Sequence, residues 1–418
     1  MYWDWTIRLD GQILSNTLDG VQVTVGAQNP LDQSMPAFAT ITIQGLPVIG
    51  GITRSVEWYL GRSVEIIVTQ SGTMAGGRIF YGRVTQQTTT PLDVKSTTII
   101  TELNAQSYMD RLQEVDLAAS DLPAATEYER VYSLIDRQLS PSWAEQPSTM
   151  TWADIPSFYD SDITWAEWEY PDAYYRPLLK VPNWVPGDPD PSIELEAFTG
   201  DTTELLTHSI DMAMGCGGWV CEYFGGIAPE IWYLTRSDLL SGAIATVNVA
   251  TSAQAFSLTD TAGIWDVYNE ATVANSTLSA SDADFDSMQR FGRMPLNLTS
   301  MAALEADLQT IATTKVSALA RPIPNLTSIT LDYNALASGD RLWHMAAPIR
   351  RLTGIPAAFG GSDDYYVRGL VFRGSKDYLA VDWVLLNRRA IEPGPMWRNV
   401  NPTLTWADLI TTWNDWNS

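Results

Sequence analysis

Few residues in this chain have the type and spacing that chemistry requires. Asp160, Asp162, Glu167, Glu169 and Asp172 sit among aromatic side chains in one Pro- and Trp-rich stretch, superficially like the carboxylates of a sugar-cleaving cleft. A glycosidase holds its two carboxyls at a fixed separation, and this stretch has no rigid strand ends to do so. A nucleophilic triad needs a histidine, and the chain has two, His208 and His344. His208 falls in the middle of a helical pattern, and His344 alternates with Trp343 and Met345 in a strand-like run. There is no Gly-x-Ser-x-Gly elbow and no Gly-rich phosphate loop ending in Lys-Ser or Lys-Thr. Cys216 and Cys221 flank Gly-Gly-Trp-Val; two thiols and two histidines do not build a standard four-ligand zinc site unaided. They read as small apolar residues at a helix-to-strand junction. Asn275, Asn297 and Asn325 begin Asn-x-Ser/Thr triplets, which chance supplies at this length. The expectation is a protein that is not an enzyme and uses no metal or cofactor.

The elements available to position side chains begin with strands. Short alternating or β-branched runs recur at 6–9, 21–25, 39–43, 64–69, 78–85 and 97–105, punctuated by Asp19-Gly20, Gly50-Gly51 and Gly76-Gly77. A small barrel or sandwich is predicted there. Thr126-Glu-Tyr-Glu129 has capping-box spacing, and Val131, Leu134, Ile135 and Leu139 follow on one helical face. Residues 140–192 read as a long irregular excursion. A second helix is predicted from Asp201, with Glu204 three residues on, Leu206, Ile210 and Met214 inward, and Gly215, Gly217 and Gly218 as its stop. Residues 219–224 and 231–234 form a predicted hairpin about Gly225-Gly226. A strand over 265–274 comes next, then a helix carrying Leu304, Leu308, Ile311, Ala312, Val316 and Leu319 and ended by Arg321-Pro322. Strands at 326–332, 341–345, 365–372 and 379–386 return the chain to β before a Trp-rich tail.

Composition bounds the class. The chain has 418 residues, 45% apolar and 18% charged, which excludes a disordered chain and suits about three domains. No run approaches the ~18 apolar residues of a membrane span, and Met1-Tyr-Trp-Asp-Trp5 is no basic-then-apolar leader, so a soluble protein unprocessed at its start is expected. The net charge of −24 argues against wrapping duplex DNA. Residues 114–204 hold 19 carboxylates against Arg130, Arg137, Arg176 and Lys180, so −15 of that charge is concentrated there. Such a surface is either a solvated loop or one that repels a polyanion and attracts a basic partner. Lys95, Lys180, Lys315 and Lys376 are the only lysines. Thr-Trp-Ala followed by an acid occurs at 151–154, 164–167 and 405–408 among 17 tryptophans, a candidate docking peg because Trp anchors interfaces.

Several segments in order carry a resemblance. They are Val21-Gln-Val-Thr-Val25, Met35-Pro-Ala-Phe-Ala-Thr-Ile-Thr-Ile43, Gly61-Arg-Ser-Val-Glu-Ile66, Phe80-Tyr-Gly-Arg-Val-Thr85 and Ala105-Gln-Ser-Tyr-Met-Asp-Arg-Leu112. Ser287-Met-Gln-Arg-Phe-Gly-Arg293, Arg321-Pro-Ile-Pro324, Ile329-Thr-Leu-Asp332, Ser338-Gly-Asp-Arg-Leu342 and Tyr366-Val-Arg-Gly-Leu370 follow. Together they resemble the minor tail proteins of long-tailed, siphovirus-type bacteriophages, specifically the tail-tip or baseplate hub, over residues 1–112 and 265–390. The acidic middle departs from that pattern.

The resemblance implies a fold class that is mainly β with α+β insertions, two tube-like β-barrel or sandwich domains flanking mixed domains. The implied boundaries are a tube-like domain at 1–115, a mixed α/β domain with the acidic insertion at 116–250, and a small α+β domain at 251–320. A second tube-like domain at 321–392 and a docking tail at 393–418 complete the chain. It implies a homotrimer at the distal end of the virion tail, made in the host cytoplasm, that continues the tube as a pseudo-six-fold ring. Its partners would be the distal tail protein, the tape measure protein and other minor tail or fibre proteins, with no sequence-specific nucleic acid. An acidic lumen suits passage of DNA without gripping it. Two other readings stay open: a carbohydrate-binding tail protein that contacts the host receptor through the aromatics of 143–184, and a hexameric distal tail ring protein. Trp406, Leu409, Ile410 and Trp413 share one face of a short helix, with Trp416 beyond, and are the expected partner-docking residues. Such a face, too short to be stable alone, needs a cover.

Overall fold

Alternation of apolar and polar side chains shapes the first quarter of the chain. The computed structural model describes residues 3–28, 33–70, 76–91, 99–119, 122–138, 178–180, 193–200, 202–224, 230–240, 246–248, 256–261, 267–320, 325–332, 351–353, 365–375 and 378–387. Six long strands open it: β1 (Trp3–Leu9), β2 (Leu18–Gly26), β3 (Met35–Gln44), β4 (Ser63–Gln70), β5 (Gly76–Pro91) and β6 (Ile99–Ser107). In β2 the valines 21, 23 and 25 are buried while Gln22 is exposed; in β3 Ala37, Ala39, Ile41 and Ile43 take the same face. A period of two lets one face bury and the other meet water. All six expected strands form, and they pair antiparallel in the order β2-β3-β6-β5-β4-β1.

A mixed layer follows. α1 (Glu127–Gln138) starts at the expected capping box: Glu129 N donates to Thr126 Oγ1 at 3.3 Å, and Thr126 N donates to Glu129 Oε2 at 3.2 Å. α2 (Leu205–Cys216) starts later than the predicted Asp201, because Thr202–Glu204 instead pairs as a strand with Asp116–Ala118. It ends, as predicted, at Gly217 in the left-handed conformation, φ 81°. β7 (Trp219–Tyr223) and β8 (Glu230–Leu234) form the predicted antiparallel pair. β9 (Phe256–Thr261) comes next. β10 (Glu270–Ala274) is shorter than the predicted strand, since Tyr268 N and Asn269 N bond to Leu319 O and Met294 O. β10 is flanked by Ser279–Ala283 and Pro295–Thr299, and α3 (Glu305–Leu319) covers this small sheet with Leu308, Ile311, Ala312 and Val316.

The chain then returns to strands β11 (Asn325–Asp332), β12 (Tyr365–Ser375) and β13 (Tyr378–Asn387). The predicted strand at 341–345 lies outside the described residues. β12 pairs with β2, from Val21 opposite Gly374 to Gly26 opposite Gly369. Among the described residues the two strand-rich ends thus form one 13-stranded sheet in the order β9-β11-β13-β12-β2-β3-β6-β5-β4-β1, with short strands beyond and beside that path. The structure is mainly β with α+β insertions, as expected. Among these residues no sheet closes into a barrel. A single core runs beneath the join, from Ile7 and Val64 on one side to Phe372 and Trp383 on the other.

A bulge makes that join work. The register of β12 against β13 shifts between Val367 and Gly369, leaving Arg368 as the extra residue. One extra residue reverses the parity of all that follows. Tyr365 and Val367 before it, and Leu370 and Phe372 after it, therefore all reach the same core, while Tyr366 and Arg368 are turned to the other face. The backbones approach closely here. A Cβ on Gly369 would lie 2.0 Å from Ala27 O, and one on Gly26 (φ 82°) would lie 2.4 Å from Arg368 O. Neither obstacle is a flexible side-chain end, so the seam itself must open to admit a methyl group. We predict that Gly369→Ala costs about 3 kcal/mol of stability in urea unfolding. Gly77→Ala, which meets nothing within 4 Å, is the matched strand control and changes stability by less than about 1 kcal/mol.

Candidate functional site

One five-residue strand lies against both halves of the large sheet. At one end of β7, Trp219 meets the C-terminal half: the Arg368 guanidinium lies 3.8 Å from its ring centre and Tyr366 meets it edge-on at 5.6 Å. A desolvated cation over a Trp face stabilises by roughly 2 kcal/mol. Tyr366 Oη also donates to Leu239 O at 2.9 Å, a second tie between this half and the mixed layer. At the other end, Glu222 accepts a hydrogen bond from Ala37 N of β3 at 2.7 Å, and Phe224 joins the main core beside Phe80. Arg78 of β5 donates to Phe224 O at 3.2 Å.

Glu222 is the chemically exceptional residue of this clamp. It is 3% exposed. Burial pushes its carboxyl up to about 7, against the opposing pull of hydrogen bonds from the Ala37 and Met109 amides. The pairing therefore holds a group that is part protonated at neutral pH. Its amide partners belong to the N-terminal half, so its protonation bears on how firmly the mixed layer grips that half.

Among protein-family profiles and among characterised protein sequences, nothing matches this chain. Solved structures do. The tail protein from Neisseria meningitidis MC58 is 12% identical with a TM-score of 0.56, covering 94% of this chain and 99% of that one. The 43 kDa tail protein of prophage MuSo2 from Shewanella oneidensis is 11% identical with a TM-score of 0.53, covering 93% and 99%. The chain has the fold of these phage tail proteins. The family resemblance read from the ordered segments agrees with that likeness.

The remaining sequence-derived candidates fall into two groups. Asp160, Asp162, Glu167, Glu169, Asp172 and His344 lie outside the described residues, as do Trp406, Leu409, Ile410, Trp413 and Trp416. His208 is inside α2, buried edge-on to Phe198 at 5.7 Å, with no hydrogen-bond partner on either ring nitrogen among the described residues. Burial and the nearby Arg130 charge lower it to about 4, so it is a neutral packing residue at physiological pH. Cys216 ends α2 and Cys221 lies within β7, the junction expected for them; both are free, buried thiols pushed up by desolvation. Among the described residues, no three His, Cys, Asp or Glu side chains are placed to hold a metal. The clamp residues Glu222 and Arg368 were not singled out from sequence. An acid within an otherwise apolar strand, and an Arg-Gly pair interrupting alternation, are the signals each one left.

A raised carboxyl stabilises the fold fully below its unfolded value, 4.5, and that contribution is lost as pH rises through about 7. The difference corresponds to about 3 kcal/mol. We predict that wild-type stability, measured by urea unfolding, falls between pH 5 and 7.5 by roughly 2 kcal/mol more than that of Glu222→Gln. Parallel curves for the two proteins would contradict this role.

Proposed function

We propose that the chain is a structural, non-catalytic component of a phage tail, acting as a tail-tip or baseplate hub. In this role it continues the tail tube and anchors distal tail or fibre proteins. The observation that supports this reading is the architecture itself. One sheet is built from both ends of the chain and gripped by a mixed layer, a fold shared over nearly the full length of two phage tail proteins. Such a plan suits a load-bearing part, because no hinge segment separates the two strand-rich halves at their seam.

In this proposal the strand-rich regions 1–115 and 321–392 present tube-like surfaces, and three copies give a pseudo-six-fold ring at the distal end of the virion tail. The face of Trp406, Leu409, Ile410 and Trp413, with Trp416, docks on a neighbouring copy or on another tail protein. No described helix is long and apolar enough to cross a membrane.

Mass measurement of tail assemblies, with antibody labelling of this chain under the electron microscope, tests the proposal. Three copies at the distal end are expected. Six copies would favour a distal ring protein, and binding on a glycan array would favour the receptor-contacting alternative. Deleting residues 403–418 should leave a folded chain and impair tail assembly; tails that assemble normally without it would remove the docking assignment.

A further inference from the structure

Where α2 ends, α3 passes and β12 bulges, the described residues line a partly open cavity of about 80 Å³. Three cationic side chains line it, Arg236, Lys315 and Arg368, brought from positions far apart in sequence. Trp219, Ile311, Leu319 and Leu386 supply apolar wall. Grouping like charges in a small, partly dry space is unfavourable, and the chain has only 25 basic residues against 49 acidic ones to spend. Part of the repulsion is offset locally. The C-terminal ends of α2 and α3 both border the cavity, and helix C-termini favour cations. Arg368 rests on the Trp219 ring, and Arg236 lays its stem beside Gly217, where a Cβ would already be 3.4 Å from its Cδ.

Lys315 has no such compensation. Its ammonium makes no hydrogen bond or ion pair among the described residues. Burial, together with the charges of Arg368 and Arg236, lowers it to about 8. Lys315 is half-buried and shares this pocket and its apolar wall with two arginines, a grouping that favours an anion beside it. The space is too small for a nucleotide, and a net charge of −24 repels a polyanion. A single carboxylate satisfies both the charge and the walls.

We infer that this cavity binds one carboxylate on a short apolar stem, with Lys315 Nζ as its ion-pair partner. The carboxylate comes either from an acidic side chain of a docking peptide or from a small free acid. The Thr-Trp-Ala-acid motif, present three times in this chain, has the required chemistry: a carboxylate two residues from a large apolar ring.

The test is competitive acylation of the full chain at pH 8 by an amine-reactive reagent, read by mass spectrometry at Lys95, Lys180, Lys315 and Lys376. Probes are a synthetic peptide copying residues 403–410, the same peptide with Asp408→Asn, acetate, and chloride at matched concentration. The copied peptide or acetate should slow labelling of Lys315 about tenfold, the ratio that a 1.4 kcal/mol ion pair gives, and leave the other lysines unchanged. The Asp408→Asn peptide and chloride should have no effect. Protection by the peptide alone assigns a docking segment, and equal protection by acetate assigns a free acid. No protection, equal protection by chloride, or a Lys315 that never labels in the free chain overturns the assignment. The wild-type chain carries the readout, so the result does not depend on the folding of any variant.

Discussion

The structure depends on one backbone pairing, β2 against β12. It joins residues 21–26 to residues 369–374, so nearly the whole chain is the loop that this contact closes. Closing so long a loop is entropically costly and is repaid only when a core forms on both sides of the join. The core does so without interruption, from β1 to β13. The contact is also sterically exacting. It requires Gly26 and Gly369 at the points where backbones meet, and an extra residue, Arg368, to return Leu370 and Phe372 to the core.

The remaining layers follow from that pairing. Turning Arg368 and Tyr366 out of the core creates a polar and aromatic face that has to be covered, and Trp219 covers it. The strand that carries Trp219 then reaches the N-terminal half, where Glu222 takes the amide of Ala37 that would otherwise be buried without a partner. β7 thus fixes the seam from outside as the core fixes it from within. An architecture braced on both faces resists opening at the seam.

Much of this fold was legible in the sequence. The six opening strands follow from plain alternation, as in Val21-Gln-Val-Thr-Val25, and α1 from the reciprocal Thr126 and Glu129 cap. What was not legible depended on partners distant in the chain. Asp201 looked like a helix cap, yet pairing of 202–204 with 116–118 outweighed that local preference. The strand predicted from 265 starts at Glu270 because neighbouring amides find Leu319 O and Met294 O. The candidate site was less legible still. Glu222 is informative only once β3 lies beside it, and residues 236, 315 and 368 share a cavity for reasons that no local pattern records. The edge-to-edge union of the two strand-rich ends, in place of two closed units, likewise rests on the glycine approach at 26 and 369.

The seam can be tested covalently. Gln22 and Arg373 stand directly opposite each other across it and are both exposed, whereas the native Cys216 and Cys221 are buried and do not compete. Opposed residues of an antiparallel pair have Cα atoms roughly 4.5–5.5 Å apart, within the range a disulfide spans. Mild oxidation of the Gln22→Cys/Arg373→Cys chain should therefore yield an intramolecular disulfide nearly quantitatively, with proteolysis recovering the two ends of the protein as one linked fragment. Free thiols or only intermolecular dimers after oxidation of a folded sample would show that the ends do not pair, and the account of one continuous sheet would fail.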